Sequence, residues 1–351
     1  MMNTSIVKFC FILLVFIPLS GIAQVEKEKK IERTFNIPGS GSMSIINRYG
    51  DVHIETWDKN IVDLKVTIGV TKRSESIARE FLDRINVDID QTGNNLRFET
   101  TFDGSIRNSG KDKMKINYNV HVPANLSMDL VNSYGNLYLS KAEGEVALKV
   151  SYGNLKIGDL QGNNELKLSY GNGEIDSFSK GEIIVNYSNL SVEQVGDVDI
   201  KNNYSNLEIT DVDDVDANNK YGNIVLSSAH NLNGFSKYGK VSIGKLYDSV
   251  IFEILHGGGL TIDWISKDFQ TINLESSYAT VKLGFEHGAG GDLDAEMRYC
   301  DLKNYDLGFD YSFIDESGNT KSYKGKLGDK NGQGKIKIRS SYGSVKIRYA
   351  D

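Results

Sequence analysis

The chain contains few residues that break or cross-link a β-structure. Among its 351 residues are 3 prolines and 2 cysteines. Cys10 lies in an apolar run at the start of the chain, which leaves Cys300 alone in the remainder. One cysteine cannot form an internal disulfide, so we expect a fold that is stable without one. Cys300 is expected to be a small buried hydrophobic residue, with a reactive or intermolecular thiol as the alternative.

The chain also lacks an excess of basic residues. Its 47 acidic and 40 basic residues give a net charge of −7 and a pI near 5.4. Nucleic-acid binding depends on basic residues that neutralise phosphates, and no basic patch stands out here. We therefore expect no nucleic-acid partner, and the acidic balance is expected to favour solubility.

Long apolar runs are absent beyond the first residues. A basic residue precedes the apolar run from Phe9 to Ile17, and the small residues Gly21 and Ala23 follow it. The run is too short for a permanent membrane anchor, the rival interpretation, and it has the flanks of a secretory signal peptide. We predict a signal peptide over residues 1–23 and no transmembrane span in the mature chain. The protein would then be exported, to the periplasm, the outer surface or the extracellular space.

A repeated motif of tyrosine, glycine or serine, and asparagine dominates the chain. Seven tyrosines follow one another at spacings of 18, 18, 17, 17, 17 and 17 residues: Tyr134, Tyr152, Tyr170, Tyr187, Tyr204, Tyr221 and Tyr238. A fixed period of this length is typical of a solenoid, in which each coil buries its apolar side against its neighbours. Apolar residues alternate on both sides of each motif, which predicts short strands with one face inward. We therefore predict an all-β fold, a single-chain β-solenoid (β-helix) with two strands and two turns in each coil of 17–18 residues.

The placement of proline indicates how the chain is divided. After the predicted signal peptide only Pro38 and Pro123 remain, and residues 124–351 contain none, as expected for coils hydrogen-bonded on both sides. We predict an N-terminal β-rich capping region over residues 24–123, solenoid repeats over residues 124–300, and C-terminal coils and a cap over residues 301–351. The sequence NRYGDVHI at Asn47 already matches the repeat, so the first region could begin the same sheet. Roughly eleven coils stacked about 4.8 Å apart would form a rod about 50 Å long, and right-handed coiling is expected.

Local patterns predict a few further elements. We predict one short helix from Ser74 to Leu82, a hairpin around Thr92 to Asn95 and a loop from Phe102 to Lys113. Beyond Tyr238 the spacing lengthens, and the later positions of the motif are His256, Tyr278, Tyr299 and Tyr342. A loop around Asp315 to Gln333 is predicted as part of the C-terminal cap.

The tyrosine column has two interpretations. The rings could form an exposed aromatic stripe for sugars or bases, or a structural ladder at the corner of the coil with its hydroxyls reaching water. Each tyrosine follows an inward apolar residue by two positions, as Tyr170 follows Leu168, which predicts the inner face and favours the structural ladder. We expect the asparagines after the turn to form a second ladder of amides along the axis: Asn136, Asn154, Asn172, Asn189, Asn206 and Asn223.

The carboxylates and histidines show no pattern typical of a catalytic or metal site. Glu174 and Glu208 lie two coils apart, about 9.6 Å by strand spacing, near the upper limit for an inverting glycosidase. Ser191 lies between them and no basic column adjoins them, so we expect two solvated side chains. The acidic run from Asp211 to Asp216 lacks the glycine and glutamate of an EF-hand loop, which favours a charged turn over a weak calcium site. The five histidines have no metal-ligand spacing: His53, His121, His230, His256 and His287. We assign no catalytic, cofactor-binding or metal-binding residue, and the ligand-binding residues stay unknown.

Two segments and the repeats resemble a known family. The segments RYGDVHIETWDKN, with Trp57 and Asp58, and VHVPANLSMDLVNSYGNL, with Pro123, precede the repeated YGNL coils. In this order they resemble the exported bacterial proteins of the DUF4097 adhesin family and the related head GIN domain proteins. The resemblance covers most of the mature chain and implies a β-solenoid and an adhesin-like role. Many relatives carry Asn-Gly where this chain has Tyr-Gly, so the aromatic column is a departure from the family.

These observations predict an exported cell-envelope or surface protein without enzymatic activity, an adhesin-like binding or structural rod. Its partner would be an envelope protein or a glycan, and no cofactor is expected. The alternative is a polysaccharide-degrading β-helix enzyme, which would need carboxylates and basic residues together in one groove. A third possibility is a periplasmic component with one protein partner, which an exposed apolar patch on one sheet would favour.

Overall fold

The computed structural model describes residues 24–38, 40–105 and 112–350. The predicted signal peptide and Cys10 lie outside these residues. The described chain forms one sheet of 23 strands with a single helix, α1 (Glu75–Asp83). Most neighbouring strands run parallel in register, so the predicted all-β solenoid is confirmed. In the described residues, no helix is both long and apolar enough to cross a membrane.

Each middle coil is one continuous strand rather than two. These strands have 15 residues each and are separated by a Tyr-Gly or Tyr-Ser turn: β11 (Leu155–Ser169), β12 (Asn172–Asn186), β13 (Asn189–Asn203), β14 (Asn206–Lys220) and β15 (Asn223–Lys237). In β13 the buried hydrophobic residues are Leu190, Val192, Val195, Val198 and Ile200. Steps of two mark straight runs, and the two steps of three mark bends at which the inward face is kept. The prediction of two turns per coil is therefore wrong, because bends replace one of the turns without interrupting the backbone hydrogen bonds between coils.

The core is a stack of aliphatic residues that the coils share. The inward positions pair with one another across coils, as Leu190 pairs with Leu207 and Val192 with Ile209. Burial of each such side chain stabilises the folded chain by about 1.5–3 kcal/mol. A coil isolated from its neighbours would expose this face, so the stack is stable only as a whole.

The coils at the N-terminal end do not follow chain order. The strands concerned are β2 (Ser42–Arg48), β3 (Val52–Trp57), β6 (Asn95–Phe102), β7 (Lys113–Pro123), β8 (Ser127–Ser133), β9 (Leu137–Ala142) and β10 (Val146–Ser151). β2 and β3 pair with β8 and β9 on one side, and with β6 and β7 on the other. The region before Pro123 therefore continues the same sheet, and the coil of β6 and β7 is the outermost of the parallel coils although it comes later in the chain than β2 and β3.

The C-terminal end has a matching exchange of order. Its strands are β16 (Lys240–Ile265), β17 (Thr271–Phe285), β18 (Gly290–Arg298), β19 (Leu302–Asn304), β22 (Gly334–Ser341) and β23 (Ser344–Tyr349). β22 pairs with β17 and with β18, and β23 pairs with β17 and with β19. The last coil of the chain is thus inserted between two earlier coils.

Antiparallel strands cover both ends of the stack. They are β1 (Val25–Asn36), β4 (Ile61–Lys72) and β5 (Ile85–Thr92) at one end, and β20 (Phe309–Ser317) and β21 (Thr320–Gly328) at the other. The predicted helix is confirmed with Ser74 as its N-cap, and the predicted hairpin at Thr92 to Asn95 joins β5 to β6. The predicted loop from Phe102 to Lys113 joins β6 to β7 and lies partly outside the described residues. The predicted loop around Asp315 to Gln333 is wrong, because β20 and β21 form a hairpin there.

Candidate functional site

An aromatic ladder runs along one corner of the solenoid. Its twelve members, in spatial order, are Tyr49, Tyr134, Tyr152, Tyr170, Tyr187, Tyr204, Tyr221, Tyr238, His256, Tyr278, Tyr342 and Tyr299. Neighbouring ring centroids lie 4.7–5.5 Å apart and the ring planes are within 19° of parallel. In the described residues, these twelve are the only non-glycine residues with positive φ, between 51° and 66°. The turn after every coil is therefore made by an aromatic residue in the left-handed region.

The tyrosines do not lie on the inner face, so that prediction is wrong. Tyr187, for example, is 52% exposed. The residue two positions before each tyrosine does point inward, as Leu168 does before Tyr170. Positive φ at the tyrosine ends the strand alternation, and its side chain turns outward instead. The predicted ladder at the corner of the coil is confirmed.

The ladder offers edges and hydroxyls rather than ring faces. Each internal ring is covered on both faces by its neighbours, as Tyr170 and Tyr204 cover Tyr187 at 5.1 and 5.0 Å. At one end Phe102 packs edge-on against Tyr49, and at the other the Arg298 guanidinium lies 5.8 Å from the Tyr299 ring centroid. A sugar ring or base could not stack on faces that are already covered. The exposed stripe is instead a row of phenol groups at a spacing of about 5 Å, set by the strands.

A close approach of the coils explains the residue after the tyrosine. A Cβ atom on Gly153 would overlap the carbonyl oxygen of Gly135 in the coil before. Where serine replaces glycine, its hydroxyl enters the turn: Ser188 Oγ donates to the Asn186 carbonyl and accepts from Gly171 N–H, at 2.8 and 3.1 Å. Small residues therefore let consecutive turns stack.

The predicted asparagine ladder is confirmed. Asn189 Nδ2 donates to Asn172 Oδ1 at 3.0 Å, and the same bond recurs from Asn206 to Asn189 and from Asn223 to Asn206, each at 2.9 Å. These side chains are exposed. The ladder therefore provides hydrogen-bond partners for the side-chain amides, and the surface along it stays polar.

A second, buried amide row was missed by the sequence reasoning. Asn202 Nδ2 donates to Asn219 Oδ1 at 2.8 Å, and Asn219 Nδ2 donates to Ser236 Oγ at 2.9 Å. The same position near the N-terminal end holds a bond from Asn47 Nδ2 to Asn132 Oδ1 at 3.1 Å. A polar residue two positions before the tyrosine was the signal that could have found this row.

The column that contains Glu174 and Glu208 is exposed and open. Glu174 pairs in register with Ser191, and Ser191 pairs with Glu208. Lys156 Nζ, one coil before, lies 3.7 Å from Glu174 Oε2. Exposed pairs of this kind contribute little to stability. The arrangement is a solvated surface column, and no second basic side chain flanks Glu208 among the register partners.

An acidic groove follows the axis on another side of the rod. It has a volume of about 1110 Å³ and passes strands from β2 to β16. Its carboxylates are Asp129, Glu145, Glu165, Glu182, Asp197, Asp199, Asp214 and Asp216, whereas Lys180 is the one basic residue that lines it in the described part of the chain. Asp197 pairs in register with Asp214, and Asp199 with Asp216.

The groove explains part of the acidic run that the sequence analysis singled out. Asp214 and Asp216 of that run enter the groove, whereas Val212 and Val215 are buried in the core. The run is therefore part of the strand β14 and not the charged turn that we expected. The carboxylates of neighbouring strands lie side by side here, which is unfavourable for stability. Their accumulation makes this side of the rod strongly negative.

The fold brings two of the five histidines together. His53 Nε2 and His121 Nε2 lie 3.0 and 3.3 Å from the two carboxylate oxygens of Glu55. Hydrogen bonding to His53, followed by the charges of both imidazoles, lowers the pKa of Glu55. Across the described residues, no three His, Cys, Asp or Glu side chains are arranged to hold a metal ion.

The remaining sequence candidates have structural positions. His256 belongs to the aromatic ladder, His287 stacks on Tyr349, and His230 Nδ1 lies 3.0 Å from Asp248 Oδ2. Cys300 is half-buried against the core, and its thiol donates to the Ser340 carbonyl at 3.3 Å. It is thus only partly the buried hydrophobic residue that we expected.

Comparisons with known proteins find similar structures only. No family model and no curated protein matches the chain. A candidate adhesin from Parabacteroides merdae is 14% identical, with 72% of this chain and 95% of that chain covered and a TM-score of 0.32. A candidate adhesin from Bacteroides fragilis is 12% identical, with 91% and 97% covered and a TM-score of 0.28. A candidate lipid-binding protein from Parabacteroides distasonis is 13% identical, with 91% and 96% covered and a TM-score of 0.23. At these values the comparisons assign no function to this chain, and the DUF4097 resemblance stays a prediction.

Proposed function

We propose that this protein is an exported, non-enzymatic rod of the cell envelope or cell surface that binds an extended partner along its side in an adhesin-like manner. The observation that carries the proposal is the acidic groove, which follows the axis past the strands from β2 to β16. Export rests on the sequence pattern of residues 1–23.

The regular stacking of the coils supports this mode of binding. Successive coils repeat the same side chains at a spacing of about 4.8 Å, so a ligand with its own repeat meets equivalent groups along the rod. Each contact is weak, but contacts on a rigid support act together and raise the overall affinity. The antiparallel strands cover the ends of the parallel stack, so the repeated side chains are presented along the sides of the rod.

The enzymatic alternative lacks support at its best candidate. Inverting hydrolysis needs an acid and a base held on opposite sides of one sugar, with the substrate fixed between them. Glu174 and Glu208 lie on the same exposed column with Ser191 between them. Glu174 lines a surface depression of about 510 Å³ that Glu208 does not line, so the two carboxylates share no substrate site among the described residues.

A binding screen tests the proposal. The purified chain is applied to a panel of glycans and cell-envelope extracts, and retained ligands are measured by surface plasmon resonance. We expect a ligand whose affinity falls at least tenfold in the double variant Asp197→Asn, Asp214→Asn.

The matched control removes two carboxylates elsewhere on the rod. Glu174→Gln, Glu208→Gln should bind the ligand like the unaltered protein, because these side chains lie outside the groove. Equal losses in both double variants would point to net charge alone and would contradict a role for the groove.

A further inference from the structure

The C-terminal hairpin leaves one strand edge unpaired. β21 pairs with β18 on one side and with β20 on the other. β20 pairs with β21 alone among the described strands. Its outer backbone N–H and C=O groups therefore have no strand partner, which is the condition under which another extended chain can add to a sheet.

This edge strand carries large apolar side chains on its surface. Tyr311, Phe313 and Ile314 are 48%, 50% and 49% exposed. Phe309 is half-buried, and its ring centroid lies 3.8 Å from that of Tyr311, so the apolar surface continues along the strand. Exposed apolar groups that lie together on a monomer commonly mark an interaction surface.

The opposite end of the rod shows how this protein protects an edge. β1 is also an edge strand, and seven of its twelve residues, VEKEKKIERTFN, are charged with both signs. Charged side chains on an edge prevent pairing with other chains. β20, with the sequence FDYSFIDES, lacks basic residues, so its edge is not protected in the same way.

The charges on β20 select the kind of partner. Its charged residues are Asp310, Asp315 and Glu316; Asp310 Oδ2 lies 3.1 Å from Lys330 Nζ, and the other two make no salt bridge with the described residues. Antiparallel self-pairing about Phe313 would place Asp310 opposite Glu316 of a second copy. Like charges directly opposite one another are destabilising, which argues against a second copy at this edge.

We propose that the free edge of β20 docks an extended strand of a partner protein in which a pair of apolar residues adjoins a pair of basic residues. Backbone hydrogen bonds to β20 would supply much of the affinity, as in other cases of strand addition. Phe313 and Ile314 point to opposite faces of the strand, as do Asp315 and Glu316. An apolar pair of the partner would cover the first two on both faces, and a basic pair would face the two carboxylates. The inference concerns the end of the rod and does not depend on the ligand proposed for its side.

Short labelled peptides test this inference on the full chain. The probes are an eight-residue valine–lysine peptide with the repeat Val-Val-Lys-Lys, a valine–glutamate peptide with the same arrangement, and a proline–lysine peptide that cannot pair as a strand. Binding is followed by fluorescence anisotropy. We expect saturable binding of the valine–lysine peptide and at least tenfold weaker binding of the other two.

Two kinds of variant locate the binding. Phe313→Ser should weaken binding of the valine–lysine peptide at least tenfold, whereas Val225→Ser should not, because Val225 is 40% exposed in β15, which is paired on both sides, and lies outside the acidic groove. The double variant Asp315→Lys, Glu316→Lys should reverse the peptide preference, so that it binds the valine–glutamate peptide more tightly than the valine–lysine peptide. A gain of this kind cannot arise from misfolding.

Other results would overturn the inference. Binding lost in Asp197→Asn, Asp214→Asn but kept in Phe313→Ser would place the peptide in the acidic groove. Sedimentation that shows a dimer dissociated by Phe313→Ser would assign the edge to a second copy. Flotation with phosphatidylcholine vesicles that depends on Phe313 would assign it to a lipid surface. Equal affinity for all three peptides would also exclude strand addition.

Discussion

The left-handed conformation of the ladder tyrosines predicts an unusual order of stability among substitutions at Tyr187. This residue has φ of 51° and stacks between Tyr170 and Tyr204 at 5.1 and 5.0 Å. Loss of the ring removes two aromatic contacts, each about 0.5–1.5 kcal/mol beyond burial, so Tyr187→Ala should cost about 1–3 kcal/mol. Alanine keeps the strain of positive φ, which is about 1–2 kcal/mol, whereas glycine has none.

The Tyr187→Gly variant should therefore be more stable than the Tyr187→Ala variant. Its extra backbone entropy costs about 0.5–1 kcal/mol, which leaves Tyr187→Gly more stable than Tyr187→Ala by roughly 0.5–1 kcal/mol. The free energy of unfolding is obtained from guanidinium melts followed by far-UV circular dichroism, with midpoints compared at equal slopes.

Val225 supplies the matched control. It is 40% exposed and lies within β15 with ordinary strand geometry. There glycine should be less stable than alanine by about 0.5–1 kcal/mol, the usual order in a strand. If Tyr187→Gly is no more stable than Tyr187→Ala, the positive φ does not strain the native turn and the reasoning is refuted.

Three further predictions concern the core, the surface column and a buried hydroxyl. Leu190→Asp places a charge in the core and should cost several kcal/mol or prevent folding, whereas Ser191→Asp should cost under about 0.5 kcal/mol in the same melts; equal effects would contradict the inward register. The protein should release no reducing ends from plant, algal or bacterial polysaccharides, and activity abolished by Glu174→Gln or Glu208→Gln would establish the enzymatic alternative. Burial raises the pKa of Tyr118 from 10.0 to about 12. The stability that its neutral form contributes should be complete below pH 10.0 and lost as the pH rises towards about 12, whereas Tyr118→Phe should lack this loss in melts across that range.

The repeat period was enough to predict the solenoid and its register. Tyrosines 17 or 18 residues apart place equivalent residues of consecutive coils side by side, and the strand pairs follow that spacing, as Asn189 pairs with Asn206. The asparagine ladder followed from the same register. Strand periodicity carries this information because every residue of a straight run alternates between two faces.

The same periodicity fails where the backbone leaves the strand region. Counting by two from Leu168 placed Tyr170 inside, but φ of 57° at Tyr170 turns its side chain outward. Sequence patterns also could not place the acidic groove, because the groove depends on bends in the strands that bring Asp197 and Asp214 onto a concave side. Bends are marked by steps of three between buried residues, a weaker signal than strict alternation.

The spatial order of the last coils could not be predicted from the sequence, for a different reason. The sequence spacing from Tyr278 to Tyr299 suggests two consecutive coils, yet Tyr342 stacks between them at 4.8 and 4.7 Å. The ladder is continuous in space although it is discontinuous in the chain. No local pattern distinguishes a coil that follows its predecessor from one that is inserted later, because both present the same inward face.

A stack of parallel coils always ends in exposed strand edges, because the backbone N–H and C=O groups of each coil bond to the neighbouring coils and the end coils lack one neighbour. Here the ends are covered by strands that reverse direction, β4 and β5 at one end and β21 at the other. Reversal moves the exposed edge onto an outer strand, two strands beyond the stack at the C-terminal end, instead of removing it. At the C-terminal end that strand is β20, whose apolar and acidic side chains then decide what the end of the rod can contact. The requirement to terminate the fold and the capacity to bind a partner strand thus fall on the same nine residues.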